Sequence, residues 1–332
     1  MSKTWKDHLL RSGLPLEADV RRVLRDRGGV VAGGEYAYFR EDEQGVEREF
    51  SFDVDATFIT DPYFFSLSVE CKYRHPSTRW VFTPHRYGDL DETFPTDVLH
   101  AQDYFIERTF PFRHRGFPVL GPLCASGVEI TQSGPNPNAI SRAVSQLVYA
   151  LPEQVVGSCE TQIEGGHFAD TIFCHVLVVV TTAELLRLHE DATIADVMAA
   201  DVIEDVASSH DVVVLNAGAG VHLKTHVERA FDDLVARCGR DRLQGHLATF
   251  TEDLGHFTST MINHYCPSAV VVARYEADGG GFSKVLDYLD RIARPPDDLL
   301  SALDEDRRRL EEAARRHATL FEFKPPEDSD DP

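Results

Sequence analysis

Two alternating segments constrain this chain more than any other feature. From 49 to 58, Phe50, Phe52, Val54, Ala56 and Phe58 alternate with Glu49, Ser51, Asp53, Asp55 and Thr57. From 65 to 73, Phe65, Leu67, Val69, Cys71 and Tyr73 alternate with Ser66, Ser68, Glu70 and Lys72. Successive strand side chains leave opposite faces, so each segment reads as a strand with one apolar and one polar face. The turn signal TDPY at 60 to 63 lets the two pair as a hairpin. Asp53, Asp55, Glu70 and Lys72 then share one face of one sheet.

Around this hairpin the sequence predicts an α/β chain. Leu16, Val20, Val23 and Leu24 have helical spacing, and Gly28 and Gly29 stop that helix. VVAGGEYAYF reads as a strand, and residues 74 to 136 as irregular. NPNAISRAVSQLVYALP reads as one helix ended by Pro152, with Arg142, Gln146 and Tyr149 along a flank of its apolar stripe. FCHVLVVVTT is a buried strand followed by a short helical segment from Ala183. DVVVLNAG and SAVVVARYE read as two further buried strands, with helices near 223 to 237 and 282 to 293. The expected organisation is a core over 1–182, an α/β extension or small second domain over 183–292, and a charged helix with an acidic, disorder-prone tail over 293–332.

A length of 332 residues is ample for a large core, and 27% charged against 42% hydrophobic residues reads as globular. No apolar run reaches membrane-span length, and MSKTWKDHLLRSG has no signal-peptide apolar region. The six cysteines are scattered without a CxxC, so a reducing cytoplasm is expected. The net charge of −22 argues against a sequence-blind coat for nucleic acid. Its distribution matters more. No acid occurs from Lys72 to Gly88, where Arg74, Arg79 and Arg86 cluster with His75 and His85. A second basic stretch holds Arg108, Arg113, His114 and Arg115.

Clustered carboxylates bind hard cations such as Mg²⁺ through oxygen. Such an ion polarises a phosphoryl oxygen and acidifies a bound water, while a neighbouring lysine stabilises transition-state charge. Asp53, Asp55, Glu70 and Lys72 supply these parts. The order of a helix bearing Glu, then Asp, then Glu-x-Lys resembles the PD-(D/E)xK restriction-endonuclease-like superfamily, and is similar to the Holliday junction resolvases and Mrr-type nucleases. The matching pieces are EADVRRVLRDRG with Glu17, FDVDA with Asp53, ECK, and Gln146 on the later helix. Phe52 stands where the family name has its proline. The resemblance spans roughly 12 to 182.

The resemblance implies a restriction-endonuclease-like core, a mixed sheet flanked by helices. It implies metal binding by Asp53 and Glu70, with Asp55 an alternative ligand because it faces the same way. Lys72 would act on the attacking water or the developing charge. Glu17 would support the metal or its waters, and Gln146 would position a ligand or the DNA backbone. The expected protein is a Mg²⁺- or Mn²⁺-dependent endodeoxyribonuclease of restriction, defence or repair. Its expected partner is DNA, without membrane attachment. A homodimer fits because cutting two strands often takes two sites. The rival expectation is an inactive nuclease-like module that binds nucleic acid or a protein.

Plainer readings stand beside these. Glu70 and Lys72 also fit a salt bridge on a wet sheet face. Glu17 also fits the favourable dipole of a first helical turn. Arg74, Arg79, Arg86 and Arg142 are candidate phosphate contacts, with Trp80 or Tyr87 as stacking surfaces. The same segment also fits a loop packed down by Trp80 and Phe82. His222 and His226 lie four apart without HExxH, and read as an exposed pair rather than a zinc site. Gly218 and Gly220 read as turn residues, and Cys71 as core.

Overall fold

The computed structural model describes residues 4–41, 45–85, 98–113, 119–218, 220–248, 253–264 and 269–320. In chain order its principal elements begin with α1 (Trp5–Arg11), α2 (Leu14–Asp26), β1 (Val30–Val31), β2 (Tyr36–Glu41), β3 (Glu47–Phe52), β4 (Val54–Thr60) and β5 (Tyr63–Lys72). Then come β6 (Arg79–Pro84), β7 (Ala101–Gln102), β8 (Leu123–Thr131), β9 (Gly134–Asn136), α3 (Ala139–Val148), α4 (Leu151–Glu164) and β10 (Ile172–Thr181). The remainder is β11 (Glu184–Leu188), α5 (Ile194–Ala199), β12 (Ala207–His210), β13 (Val212–Asn216), α6 (Val221–Cys238), α7 (Arg240–His246), α8 (Leu254–His264), β14 (Ala269–Arg274), α9 (Gly280–Ala293) and α10 (Asp297–Leu320).

The fold is mixed α/β. Its main sheet runs β1-β4-β5-β10-β14-β13-β8-β6-β11-β12, with β7 beside β10 and β9 beside β8. The hairpin forms as the alternation predicts: β4 and β5 are antiparallel, with Val54 opposite Val69 and Thr60 opposite Tyr63. β10 lies parallel to both β5 and β14. All ten of its residues are buried, as expected of a central strand covered on both faces. β13 and β14, from the later part of the chain, are built into this same sheet.

Strand alternation divides the core into two layers. Val176, Val178 and Val180 join Val54, Leu67 and Val69 beneath α2 and α9. Leu177 and Val179 face the other way, onto α3, α4, α6 and α8. α2 docks through the expected stripe of Leu16, Val20 and Leu24.

Five expectations need correction. The segment 49 to 58 is two strands: β3 pairs with β2 in a separate two-stranded sheet, and β4 joins the main sheet. Alternation continues through a bend, so periodicity alone does not reveal it. VVAGGEYAYF is likewise two strands, β1 and β2, interrupted by its glycines. The helix expected to end at Pro152 is α3 followed by α4, and Pro152 lies in the first turn of α4. Proline suits that position because its missing N–H has no intrahelical role there. The segment after Ala183 is the strand β11, parallel to β6, rather than a helix. Residues 74 to 136, read as irregular, contain β6 to β9, where Trp80, Val81 and Phe82 form a run too short to show a period.

Candidate active site

Asp53 is the single residue between β3 and β4, where the chain passes from one sheet to the other. The β4–β5 register, continued by one residue, sets Asp53 opposite Glu70. Asp53 Oδ2 accepts a hydrogen bond from the Cys71 amide at 2.7 Å, which ties the bend to the end of β5. Arg21 secures it from α2. Its guanidinium donates to the carbonyls of Ala32 at 2.7 Å, Gly34 at 3.2 Å, and Asp53. From the other layer, Gln146 Nε2 donates to the Ser51 carbonyl at 2.9 Å. Gln146 therefore braces the backbone two residues before Asp53.

Glu70 is completely buried, and Lys72 Nζ pairs with its Oε1. Its Oε2 is buried and has no hydrogen-bond partner among the described residues. Burial, followed by repulsion from Asp53, pushes the Glu70 carboxyl up to about 7 despite the Lys72 ammonium. Burial likewise raises Asp53, although the Cys71 amide and Lys72 oppose the shift. Glu17 is raised by burial and then by the charges of Asp53 and Glu35. Its carboxylate folds back over the start of α2, with Oε1 3.2 Å from where a Cβ on Gly13 would stand. Gly13 has φ +86°, a conformation that also favours glycine.

The structure thus gathers Glu17, Asp53, Glu70 and Lys72 into one electrostatic group. Lys72 lies opposite Thr181, at the C-terminal end of the parallel pair β5 and β10. That end of a parallel sheet is where open α/β folds commonly bind ligands. Asp55 sits one same-face step further along the hairpin, opposite Ser68. Burial raises it, and its charge acts on Tyr36, whose hydroxyl burial and then Glu153 and Asp55 push up to about 12. Asp53 is therefore the aspartate directly opposed to Glu70.

Sequence reasoning missed Glu35 and Arg21. Glu35 lies between β1 and β2, accepts from Ser51 Oγ at 2.6 Å, and perturbs both Asp53 and Glu17. No periodicity marks it. Arg21 is one helical turn after Glu17, a spacing that offered a signal.

Of the predicted phosphate contacts, Arg74, Arg79 and Arg142 lie among the described residues. Arg74 pairs with buried Glu129, and Trp80 is fully buried with Nε1 donating to the same carboxylate at 3.0 Å. Trp80 is a core residue, so the loop-packing reading holds for it and the stacking reading does not. Arg79 is exposed and pairs with Glu184 at 3.1 Å. Arg142 is exposed on α3. Arg86, Tyr87, His114 and Arg115 lie outside the described residues, as does the tail from 321 to 332. His226 Nε2 bonds to the Tyr149 carbonyl at 3.0 Å. Burial holds the Cys71 thiol well above its ordinary range, as expected for a core cysteine.

Among the described residues, no three His, Cys, Asp or Glu side chains converge as a ready metal cage. Mg²⁺ does not require one, since it commonly keeps several waters and takes one or two carboxylates. The partnerless Glu70 Oε2, with Asp53 across the hairpin, fits that smaller demand. No helix among the described residues is long and apolar enough to cross a membrane. No protein-family model, curated protein or solved structure matches this chain.

Proposed function

We propose that the chain is a Mg²⁺- or Mn²⁺-dependent nuclease that hydrolyses DNA phosphodiester bonds, built on a restriction-endonuclease-like core. The observation that carries this reading is the buried Glu70 with one oxygen unsatisfied, opposite Asp53 and beside Lys72. An unsatisfied buried carboxylate oxygen costs stability, so its retention favours a use in ligand or ion binding. The topology supports the same reading. A helix bearing Glu17 precedes an antiparallel hairpin bearing Asp53 and Glu70, and after β6 to β9 the helices α3 and α4 lead to β10, parallel to β5.

Asp53 and Glu70 would hold the cation, with Asp55 too far along the hairpin to be the first choice. The ion would acidify a water and offset negative charge on the phosphoryl oxygens. Lys72 Nζ is placed to stabilise that charge or orient the water. Glu17 completes the acidic wall and suits a bond to the ion's waters. Gln146 and Arg21 act through the backbone, fixing Ser51 and Asp53. Hydrolysis adds the water oxygen to phosphorus and breaks one phosphorus–oxygen ester bond.

The Lys72–Glu70 ion pair also favours a second reading, a silent module in which the lysine permanently neutralises Glu70. Incubation with linear, circular and single-stranded DNA in Mg²⁺, Mn²⁺ or EDTA separates the two. The nuclease reading expects metal-dependent cutting that Glu70→Ala and Lys72→Ala strongly reduce. Absence of cutting under every condition selects the silent module, and cutting that both variants retain places the activity elsewhere.

A further inference from the structure

On β3, the strand that delivers Asp53, lies a basic cavity of about 760 Å³. The β2–β3 hairpin forms one wall with Arg40, Arg48 and Phe50. Tyr149, just after α3, and Arg229 and His222 of α6 form the others. The Arg40 guanidinium is sandwiched between two rings, 4.0 Å from the Phe50 centroid and 4.1 Å from that of Tyr149. Its Nε is buried and has no hydrogen-bond partner among the described residues. In the hairpin register Arg48 stands directly opposite Arg40. Among the described residues, the acid lining this cavity is Glu41, which is bonded to Arg229 at 2.6 Å. An adjoining cavity beyond Arg40 and Arg229 is acidic instead, with Glu47, Glu153, Glu160 and Asp233. A negatively charged ligand is therefore favoured on one side of this arginine wall and repelled on the other.

We propose that the basic cavity holds backbone phosphates of the DNA strand, to one side of the bond that is cut. The identity of the ligand rests on the nuclease reading; the anion site rests on the arginines themselves. Guanidinium is planar, permanently charged and suited to bidentate contact with phosphate. The two rings hold Arg40 in place, so little side-chain freedom is lost on binding. The volume is in the range of organic ligands rather than a lone ion. Phe50 and Arg48 precede Asp53 by three and five residues, roughly 10 to 17 Å along an extended strand. At about 3.4 Å per nucleotide of duplex, the cavity would contact phosphates roughly three to five nucleotides from the scissile bond.

The test is binding of fluorescently labelled duplex and single-stranded DNA, followed by anisotropy over a salt series in EDTA so that nothing is cut. Arg40→Gln and Arg48→Gln should each weaken binding roughly tenfold, as loss of a charge-assisted bond does. Each should also lower the salt slope by about one. Arg309→Gln, on exposed α10, removes the same charge elsewhere and should do neither. Arg48 is exposed, so its variant keeps the result readable if Arg40→Gln misfolds. Unchanged affinity and slope in Arg48→Gln and a folded Arg40→Gln overturn the proposal, even if the wild type cuts DNA. Weakened binding in both, with no cleavage by the wild type in any metal, keeps the cavity and removes the nuclease reading. A thermal shift with deoxynucleoside monophosphate, lost in Arg40→Gln, while neither DNA binds, overturns the strand assignment in favour of a free nucleotide.

Discussion

Two carboxylates, Glu70 and Glu129, are both buried, and both pair with cations that lie two residues apart in the chain, Lys72 and Arg74. Glu129 is fully satisfied. Arg74 and Trp80 donate to its Oε2, and Asn136 donates to Oε1 at 3.1 Å. Burial alone would raise its carboxyl, but the bonds from Arg74, Trp80 and Asn136 outweigh that and hold it below the ordinary range. Glu70 has the Lys72 ammonium and the Asp53 backbone beside it, but one of its oxygens is unsatisfied among the described residues and the charge of Asp53 stands against it, and its carboxyl is raised. A buried ion pair is therefore not in itself a sign of function. The distinguishing marks are unused hydrogen-bonding capacity and a like-charged neighbour, the combination that shifts protonation at working sites.

The largest expected difference between the pairs is in activity. Lys72→Ala and Glu70→Ala should each lower the rate of metal-dependent DNA cleavage by roughly 10²- to 10³-fold, the usual effect of removing one transition-state electrostatic contact. Glu129→Gln should change that rate far less, once compared at equal folded fraction. Equal losses in all three would erase the functional distinction between the pairs.

Stability should rank them in the opposite order. Glu129→Ala leaves Arg74 and Trp80 Nε1 without their acceptor and should cost about 3 kcal/mol by urea denaturation. Glu70→Gln, measured in EDTA, should instead gain stability at high pH. The folded Glu70 carboxyl is raised from its ordinary 4.5 to about 7. Its contribution is therefore full below pH 4.5 and lost as pH rises through 7. That loss corresponds to roughly 3 kcal/mol at most, and the lost Lys72 bond offsets part of it, leaving a net gain of about 1 kcal/mol at pH 8. Below pH 4.5 the gain should vanish. Glu129 has the reverse sign. Its lowered carboxyl contributes fully above the ordinary value, and the advantage of wild type over Glu129→Gln should fade as pH falls below 4.5. Parallel pH profiles for the two variants would mean that the carboxylates do not differ.

The Glu70–Lys72 pair was far more legible in the sequence than the Glu129–Arg74 pair. Strand alternation and a turn signal placed Glu70, Lys72 and Asp53 on one face, because hairpin register follows from local pattern. Glu129 carried no such mark. Its strand β8 was hidden in a segment read as irregular, and its partners come from β6, β9 and the end of β5. Those contacts are non-local, as are the insertion of β13 and β14 beside β10 and the bracing of Asp53 by Arg21. The bend at Asp53 was invisible for another reason: alternation is unchanged when a strand leaves one sheet for the next. The burial of Trp80, a candidate stacking surface in the sequence, was hidden by the same lack of non-local information. A basic, aromatic stretch looks alike whether its cations meet phosphates or a buried acid.

A third ion pair gives the smallest effect and the baseline for the other two. Arg79 and Glu184 lie opposite each other on parallel β6 and β11 at 3.1 Å, with Arg79 46% exposed. Water screens this pair, and holding the long arginine side chain costs rotamer freedom, so such contacts contribute about 0 to 1 kcal/mol. The coupling energy from a double-mutant cycle of Arg79→Ala and Glu184→Ala should be below about 0.5 kcal/mol and shrink further in high salt. The same cycle on Arg74 and Glu129 should give several times as much and respond little to salt. If Arg79–Glu184 couples as strongly as Arg74–Glu129, burial is not what separates the pairs, and the stability ranking among them fails.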